Sequence, residues 1–504
     1  MGDAALRGYV TPLDYSDVQG LAAFGYAKMV EAHYWLLRIR DAAAARAWLA
    51  AAPVSTAERR QPPPDTALQV AFTPRGLRAL GVPESIVAGF SDEFLEGVAG
   101  TASRSRRLGD NGESDPARWM WGGPGKDADL VVMLFAKENL AAWTQAVQDN
   151  LWHAAFETIT TLPTSNMGGV EPFGFVDGIS QPEFDWKGER LAPGTTAVYG
   201  NRVALGELLL GYPNEYGKYT DRPLIPPAAD PANELLPADD QPALKDFGRN
   251  GTYLVLRQLE QDVRGFWQYL ESAADGETPE RYRLGAAVVG RTVAGEPLIS
   301  ATGEQIAGVS EKPGQPRNAF TYDGDPEGIE CPFGAHIRRA NPRNADLFGH
   351  PAGAIAQAFS KLGIPQPKLH DDLIASTRFH RVLRRGREYG VKITPDEALQ
   401  PAPADEAPRG LQFACLCANI LRQFEFVQNA WLMSTKFNGL TEESDPLLGN
   451  RTAVGGCPVT GNFSIPRDSG LPRRLSGVPQ FIAVRGGTYF FMPGLRALRY
   501  IVNR

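Results

Sequence analysis

The amino-acid sequence predicts an α+β protein of two domains with antiparallel sheets. Three observations carry this prediction: a length of 504 residues, strand–helix units that recur in both halves, and a proline-rich stretch between the halves. Hydrophobic cores stop growing at about 250–300 residues, so a chain of this length is expected to divide.

Strand–helix units recur along the chain. The segment "YWLLRIRDAAAARAWLAA" begins at Tyr34, and "YLVLRQLEQDVRGFWQYL" echoes it from Tyr253. Both are typical of a short strand that runs into an amphipathic helix. Further units begin at Ala67, Ala128 and Leu411. A parallel doubly wound sheet is the alternative, but the units are few, and no Gly-x-Gly-x-x-Gly follows a strand to support nucleotide binding.

The domain boundary is expected in the stretch 222–246, which holds six prolines in 25 residues. Proline removes a backbone donor, so this composition disfavours a helix or a central strand. The sequence therefore predicts domains at 1–222 and 223–504.

Composition indicates an ordinary globular protein, with 43% hydrophobic residues, 22% charged residues and a net charge of −7. No charged block predicts binding to nucleic acid or to an anionic membrane. The start of the chain has neither a secretory pattern nor a twin arginine, and no apolar run of ~18 residues occurs. Four cysteines without a Cys-x-x-Cys pair fit a reducing compartment. We therefore expect a cytoplasmic location.

The segment "GFVDGISQPEF" places Asp177 among apolar residues that include Phe175 and Ile179. Asp-Gly is a common turn dipeptide, which is the simpler interpretation. A buried aspartate, however, is costly unless a cation offsets its desolvation, and such a group can take up and return a proton.

His336, in "CPFGAHIRRANPR", has the most suggestive context of the six histidines. A single imidazole cannot build a zinc site, but one protein ligand is enough for haem iron. The arginines that follow it could then pair with the haem propionates. On the pattern alone, a structural histidine in a polar loop is favoured over this interpretation.

A third segment, "STRFHRVLRRGREYG", carries five arginines. A solvated basic face explains most of them. One arginine turned inward would be enough to stabilise negative charge at a reacting centre.

Taken together, the three segments resemble the motifs of the dye-decolourising peroxidase family, in the same order and at comparable spacing. The segments "GELLLGYPNEYG", "RQFEFVQNAW" and "FIAVRGGTYFFMPGLRAL" are also similar to family segments, so the resemblance covers most of the chain. The length and the long loops resemble the larger cytoplasmic and fungal-like branches.

The resemblance implies two ferredoxin-like domains in a dimeric α+β barrel-like arrangement, with haem in the C-terminal half. It implies one non-covalent haem b per chain. By position in the motifs, His336 is the proximal iron ligand, Asp177 the distal acid–base residue and Arg384 the distal arginine.

The remaining residues that the resemblance assigns surround the same cofactor. Arg343 is expected to bind a propionate. The residues expected to border the haem are Gly178, Ile179, Ser180, Leu411 and Phe413. Relatives often hold the proximal imidazole with an acid, and two candidates for that partner here are Asn419 and Glu425.

The implied function is a peroxidase that reduces hydrogen peroxide and oxidises small organic reductants, such as dyes and phenolics, by one-electron steps. One alternative is a haem carrier or iron-release protein on the same fold without peroxidase turnover. Another is an α+β binding protein without haem. A Soret band and peroxide-dependent dye oxidation would separate the three.

Overall fold

The computed structural model describes residues 9–189, 202–299, 316–318, 320–322, 324–343, 377–452 and 461–504. Its strands are β1 (Glu31–Ile39), β2 (Thr66–Phe72), β3 (Leu130–Ala136), β4 (Phe156–Pro163), β5 (Glu183–Phe184), β6 (Arg202–Val203), β7 (Leu224–Ile225), β8 (Lys245–Asp246), β9 (Thr252–Gln261), β10 (Leu383–Arg384), β11 (Arg387–Tyr389), β12 (Gly410–Cys417), β13 (Phe463–Ile465), β14 (Arg473–Leu475) and β15 (Ile482–Met492).

The α-helices within this part of the chain are α1 (Ala42–Ala51), α2 (Pro74–Ala79), α3 (Glu84–Val87), α4 (Asp92–Glu96), α5 (Ala102–Leu108), α6 (Leu140–Val147), α7 (Asn150–Ala155), α8 (Val263–Ala273), α9 (Thr278–Val289), α10 (His336–Ala340), α11 (Pro395–Ala398) and α12 (Leu495–Val502). Two consecutive segments after β12 are π-helical: Leu421–Glu425 and Val427–Met433. Short 3₁₀ turns are Gly20–Ala22, Gly112–Ser114, Pro116–Arg118, Leu205–Glu207, Pro227–Ala229, Pro316–Asn318 and Phe437–Gly439.

The main sheet repeats one strand order in the two halves of the chain. Its order is β10–β12–β9–β15–β2–β3–β1–β4, and β11 also pairs with β12. In each half the second, third, first and fourth strands of this sheet are neighbours, if the short β10 and β11 are counted as one interrupted strand. This is the order of a ferredoxin-like βαββαβ unit. The ladders of this sheet are antiparallel, as predicted.

The strand–helix echo in the sequence corresponds to real elements. The strand that contains Tyr34 is followed by α1, and the strand that contains Tyr253 is followed by α8. Each helix begins at an aspartate cap: Asp41 accepts a hydrogen bond from the backbone N–H of Ala44, and Asp262 accepts one from Gly265. These caps satisfy backbone donors that a helix start leaves unpaired.

The two halves share one sheet because β15 pairs with β2 at Phe491 and Phe72. A hydrophobic core lies on each face of the main sheet, and the apolar side chains of a strand alternate between the two. On β1, Trp35 and Leu37 belong to one core, and Tyr34 and Leu36 belong to the other. Each of the two cores contains residues from both halves of the chain. The central strands are therefore buried on both faces.

The segment that carries Asp177 lies against the second half of the fold. The ring centroids of Phe173 and Phe266 are 4.6 Å apart, and Phe175 stacks on Trp267. In the proline-rich stretch, β7 and β8 pair as a short antiparallel ladder. A domain boundary at residue 222 stays a prediction.

None of the helices in the described ranges is long and apolar enough to span a lipid bilayer.

Candidate functional site

His336 is the first residue of α10, and buried arginines fix this short helix in place. Arg338 donates to Asp325 Oδ2 at 2.8 Å and to the carbonyl of Cys331, and Arg339 donates to the carbonyl of Trp431. The sequence interpretation offered these arginines as propionate partners. The structure instead uses both to anchor the helix that presents His336.

Asp445 holds the imidazole of His336. The distance between His336 Nδ1 and Asp445 Oδ2 is 3.0 Å, and Asp445 is fully buried. Its Oδ1 accepts the backbone N–H groups of Leu447 and Leu448. Burial would raise the pKa of Asp445, but His336 and these bonds hold it below its ordinary value. Burial would likewise lower the pKa of His336, but Asp445 raises it.

The sequence suggested Asn419 or Glu425 as the hydrogen-bond partner of the His336 imidazole, but both side chains have other partners. Asn419 Oδ1 accepts the backbone N–H of Arg422. Glu425 accepts a hydrogen bond from Tyr489 Oη at 2.9 Å and lies 3.1 Å from Arg104 Nε. The suggestion of either residue as the partner of His336 was therefore wrong. The only local signal for Asp445 is its Asp-Pro dipeptide, which marks a turn and nothing more specific.

Asp177 and Arg384 form an ion pair, with 2.8 Å between Oδ1 and Nη1. The same Oδ1 accepts the backbone N–H of Gly178 at 2.6 Å, in a turn where Gly178 has φ 79°. Glycine adopts this left-handed conformation without strain. The side chain of Asp177 is 37% exposed, so it is less buried than its apolar neighbours in the sequence predict. Desolvation in the cavity would raise the pKa of Asp177, but Arg384 and the Gly178 bond hold it below its ordinary value.

Gln181 joins the Asp177 segment to the strand of Arg384. Its Oε1 accepts the backbone N–H of Arg384 at 3.1 Å, and its Nε2 donates to the carbonyl of Arg384 at 3.2 Å. The side-chain amide of Gln181 thus satisfies the backbone N–H and carbonyl of Arg384, as a neighbouring strand would. Gln181 lies inside the quoted motif, but no pattern of neighbouring residues distinguished it as a site residue.

Glu171 shapes the turn that precedes Asp177. Its carboxylate accepts the backbone N–H groups of Phe173 and Phe175, each at 3.0 Å, and the side-chain amide of Gln261 at 2.9 Å. Burial raises the pKa of Glu171 to about 7. This titratable carboxylate of the site was not predicted.

One cavity brings these groups together. It encloses about 1900 Å³ of empty space, including its mouth. The predicted site residues that line it are Asp177, Ile179, Ser180, His336, Arg343, Arg384, Leu411 and Phe413. Gly178 contributes its backbone N–H to Asp177 and is not part of this lining.

Arg343 is buried in the wall of the cavity, with φ 59°. Its Nη1 donates to the carbonyls of Asn318 and Phe320, and its Nη2 donates to Asn318 Oδ1. The guanidinium carbon lies 3.8 Å from the centroid of the Phe320 ring. The side chain is therefore held rigidly at the cavity.

His380 also lines the cavity, but its imidazole is used internally. Its Nδ1 contacts the carbonyl of Arg422, and its ring stacks on Phe426 with centroids 3.7 Å apart. Burial lowers the pKa of His380 to about 4. The other histidines of the C-terminal half, His350 and His370, lie outside the described residues.

Comparisons with known proteins agree on one family. No family model matches the chain. Dye-decolorizing peroxidase AauDyP1 of Auricularia auricula-judae is 28% identical over 520 residues, which cover 98% of this chain and 88% of the relative. Multifunctional dye peroxidase DyP2 of an Amycolatopsis species is 31% identical over 353 residues, which cover 67% of this chain and 62% of the relative.

Solved structures give the same result over the whole chain. The structure of an ancestral D-type dye-decolorizing peroxidase matches with a TM-score of 0.70 and 26% identity, covering 97% of this chain and 99% of the other. A crystal structure of AauDyP complexed with imidazole matches with a TM-score of 0.69 and 25% identity, covering 97% and 100%. The predicted fold class is thereby confirmed.

Proposed function

This chain belongs to the dye-decolourising peroxidase family, and on that premise we propose that it uses haem b to reduce hydrogen peroxide and oxidise dyes, phenolics and similar small molecules by one-electron steps. A single observation carries the proposal. The Asp177–Arg384 pair lines the same cavity as His336, whose imidazole is held from behind by the buried Asp445.

The residues of the cavity fit a haem. Because Asp445 occupies Nδ1 of His336, Nε2 is the ring nitrogen left to bind a metal, as in carboxylate–histidine–metal arrangements. Leu411 and Phe413 offer apolar surface to a porphyrin, and Arg343 brings positive charge for its propionates. When bound, haem supplies an iron that binds peroxide and the electrons that cleave its O–O bond.

Asp177 is proposed to move the proton that peroxide cleavage requires. Its Oδ1 is held by Gly178 and Arg384, so Oδ2 is the oxygen that takes the proton. The carboxylate accepts this proton from the inner oxygen of peroxide and returns it to the outer oxygen, which leaves as water. The lowered pKa of Asp177 keeps the group ionised and ready to accept.

Arg384 is proposed to stabilise the negative charge that develops on peroxide during this transfer. Gln181 fixes the backbone of Arg384 through both its N–H and its carbonyl, which limits movement of the guanidinium. A preorganised cation needs no rearrangement at the moment of reaction.

Asp445 is proposed as the residue that tunes the iron through His336. Its carboxylate orients the ring, fixes the proton on Nδ1 and increases the basicity of Nε2. A more basic ligand favours the higher oxidation state of iron.

The alternative of a haem carrier receives no support from the relatives reported above, which are peroxidases. A cytoplasmic location is part of the proposal. The free and buried thiols of Cys331, Cys415 and Cys417 are compatible with it, and Cys457 lies outside the described residues.

The test is expression with haem supply, followed by an absorption spectrum and an assay of peroxide-dependent dye oxidation. We expect a Soret band in the wild-type protein and in Asp177→Asn, with dye oxidation strongly reduced in the variant. A wild-type protein that binds haem without oxidising any dye would favour the carrier. A wild-type protein without a Soret band would refute both.

A further inference from the structure

Arg291 is a buried cation in the wall of the cavity, and one of its three guanidinium nitrogens has no hydrogen-bond partner among the described residues. The residue follows α9 and is only 5% exposed. Its Nη1 donates to the carbonyls of Gly295 and Arg317, each at 2.9 Å, and these two bonds fix the direction of the side chain. Its Nη2 is buried and donates to no acceptor within the ranges that the structure describes, so the donor is unsatisfied there. Buried hydrogen-bond donors are normally satisfied, so the Nη2 donor of Arg291 indicates that a bound ligand supplies an acceptor.

The charge of Arg291 is also not compensated by an ion pair in the part of the chain that the structure describes. Among the cavity arginines, Arg257 pairs with Asp110 and Arg384 pairs with Asp177, whereas Arg291 forms no ion pair within the described ranges. Burial and the like charge of Arg343 lower the pKa of Arg291 to about 10. The group is still a cation at neutral pH, and an unpaired buried charge is strongly unfavourable.

Arg343 lies close to Arg291, and the two guanidinium groups flank one ring. Their central carbons lie 3.8 Å and 5.5 Å, respectively, from the centroid of the Phe320 ring. Both side chains line the cavity that also contains His336. This arrangement concentrates positive charge at one part of the wall, where it fits an anionic group of whatever occupies the cavity.

We propose that Arg291 is a second propionate-binding residue for haem, with Nη2 as the donor. The inference rests on the proposed function, because it takes the cofactor of that function as the ligand. A propionate carboxylate would satisfy the free donor and neutralise the charge in one contact. Arg291 and Arg343 would then both bind propionate groups of the haem.

The test compares haem with its dimethyl ester, in which both propionates are uncharged. Holoprotein is prepared with each porphyrin, and the rate of porphyrin loss to an excess of a haem-scavenging protein is followed by absorbance. The proteins are wild type, Arg291→Gln, and the control Arg283→Gln. Arg283 lies on α9, pairs with Glu280 and does not line this cavity.

We expect Arg291→Gln to lose haem about tenfold to a hundredfold faster than wild type, since charged hydrogen bonds contribute on that scale. The same variant should lose the dimethyl ester at nearly the wild-type rate, and Arg283→Gln should match wild type with both. Equal acceleration for the two porphyrins would indicate a loosened fold and would overturn the inference, as would an unchanged haem loss. A wild-type protein that binds neither porphyrin would instead overturn the proposed function, and this inference with it.

Discussion

Asp177 Oδ1 and Arg384 Nη1 lie 2.8 Å apart, although 207 positions separate the two residues in the sequence. The contact joins an ionised carboxylate to the cation that lowers its pKa, at the wall of the cavity. Under the proposed function, the two groups act on the same ligand, Asp177 by transferring a proton and Arg384 by stabilising negative charge.

Asp177→Asn is expected to keep haem and to react with peroxide about 10²–10⁴ times more slowly, because an amide of nearly the same shape cannot accept the proton. The measurement is the stopped-flow absorbance change on mixing with hydrogen peroxide. Because the pKa of Asp177 is lowered from the ordinary aspartate value of about 3.9, the wild-type rate should persist into solutions more acidic than that value before the carboxylate becomes protonated. The variant should lack this acid limb. Equal rates in both proteins at every pH would contradict the role of Asp177.

His336→Ala is expected to lose most bound haem, because the imidazole is the proposed protein ligand of the iron. The measurement is the ratio of Soret to protein absorbance after purification. His380→Ala is the control, since this residue also lines the cavity but contacts the carbonyl of Arg422. Full occupancy with an unchanged spectrum in His336→Ala would refute the assignment.

Arg343→Ala is expected to weaken haem retention and to leave the axial ligation unchanged. A charge-assisted bond to a propionate contributes about 1.5–3 kcal/mol. The rate of haem loss should rise, while the spectrum of the protein that still holds haem stays that of wild type. Retention equal to wild type would show that Arg343 serves structural contacts, such as those to Asn318 and Phe320, and does not hold a propionate.

Asp445→Asn is expected to raise the reduction potential of the bound iron, because the neutral amide makes the His336 imidazole a weaker donor and destabilises the ferric state. Spectroelectrochemistry of the wild-type and variant holoproteins measures the potential. Glu425→Gln, which alters the contact to Tyr489, is the control. An unchanged reduction potential in Asp445→Asn would contradict the proposal that this carboxylate tunes the iron.

Glu171 is expected to make stability depend on pH. Its pKa in the folded protein is about 7, above the ordinary value near 4.3. The folded state therefore holds this proton more tightly than the unfolded state, so the associated stability is present at low pH and is lost as the pH rises through about 7. Melting temperatures between pH 5 and 8 should fall less steeply in Glu171→Gln than in wild type or in the exposed control Glu138→Gln. Parallel curves in all three would contradict this prediction.

The sequence predicted the elements because their signals are local, whereas Asp177, His336 and Arg384 were singled out by the resemblance of three motifs taken together. A strand that runs into a capped helix leaves a regular apolar pattern, as in the segments from Tyr34 and Tyr253. Asp177, His336 and Arg384 each lie in a recognisable motif, and the fold places all three at one cavity.

Asp445 could not be found in this way. It lies 109 residues from His336, and its neighbours predict only a turn. The choice of Glu425 failed for a different reason. That segment forms a π-helix, in which the N–H of Glu425 bonds to the carbonyl of Ile420, five residues back. The wider winding changes which side chains share a face, and Glu425 points to Arg104 and Tyr489.

The pairing of β2 with β15 also bears on aggregation. Without it, each four-stranded half would present an unpaired row of backbone N–H and C=O groups, which is a template for association between molecules. Phe72 and Phe491 lie at this seam, and both are fully buried. Each half thus covers the edge strand of the other. A fragment that contains only one half would therefore expose an unpaired apolar strand to solvent.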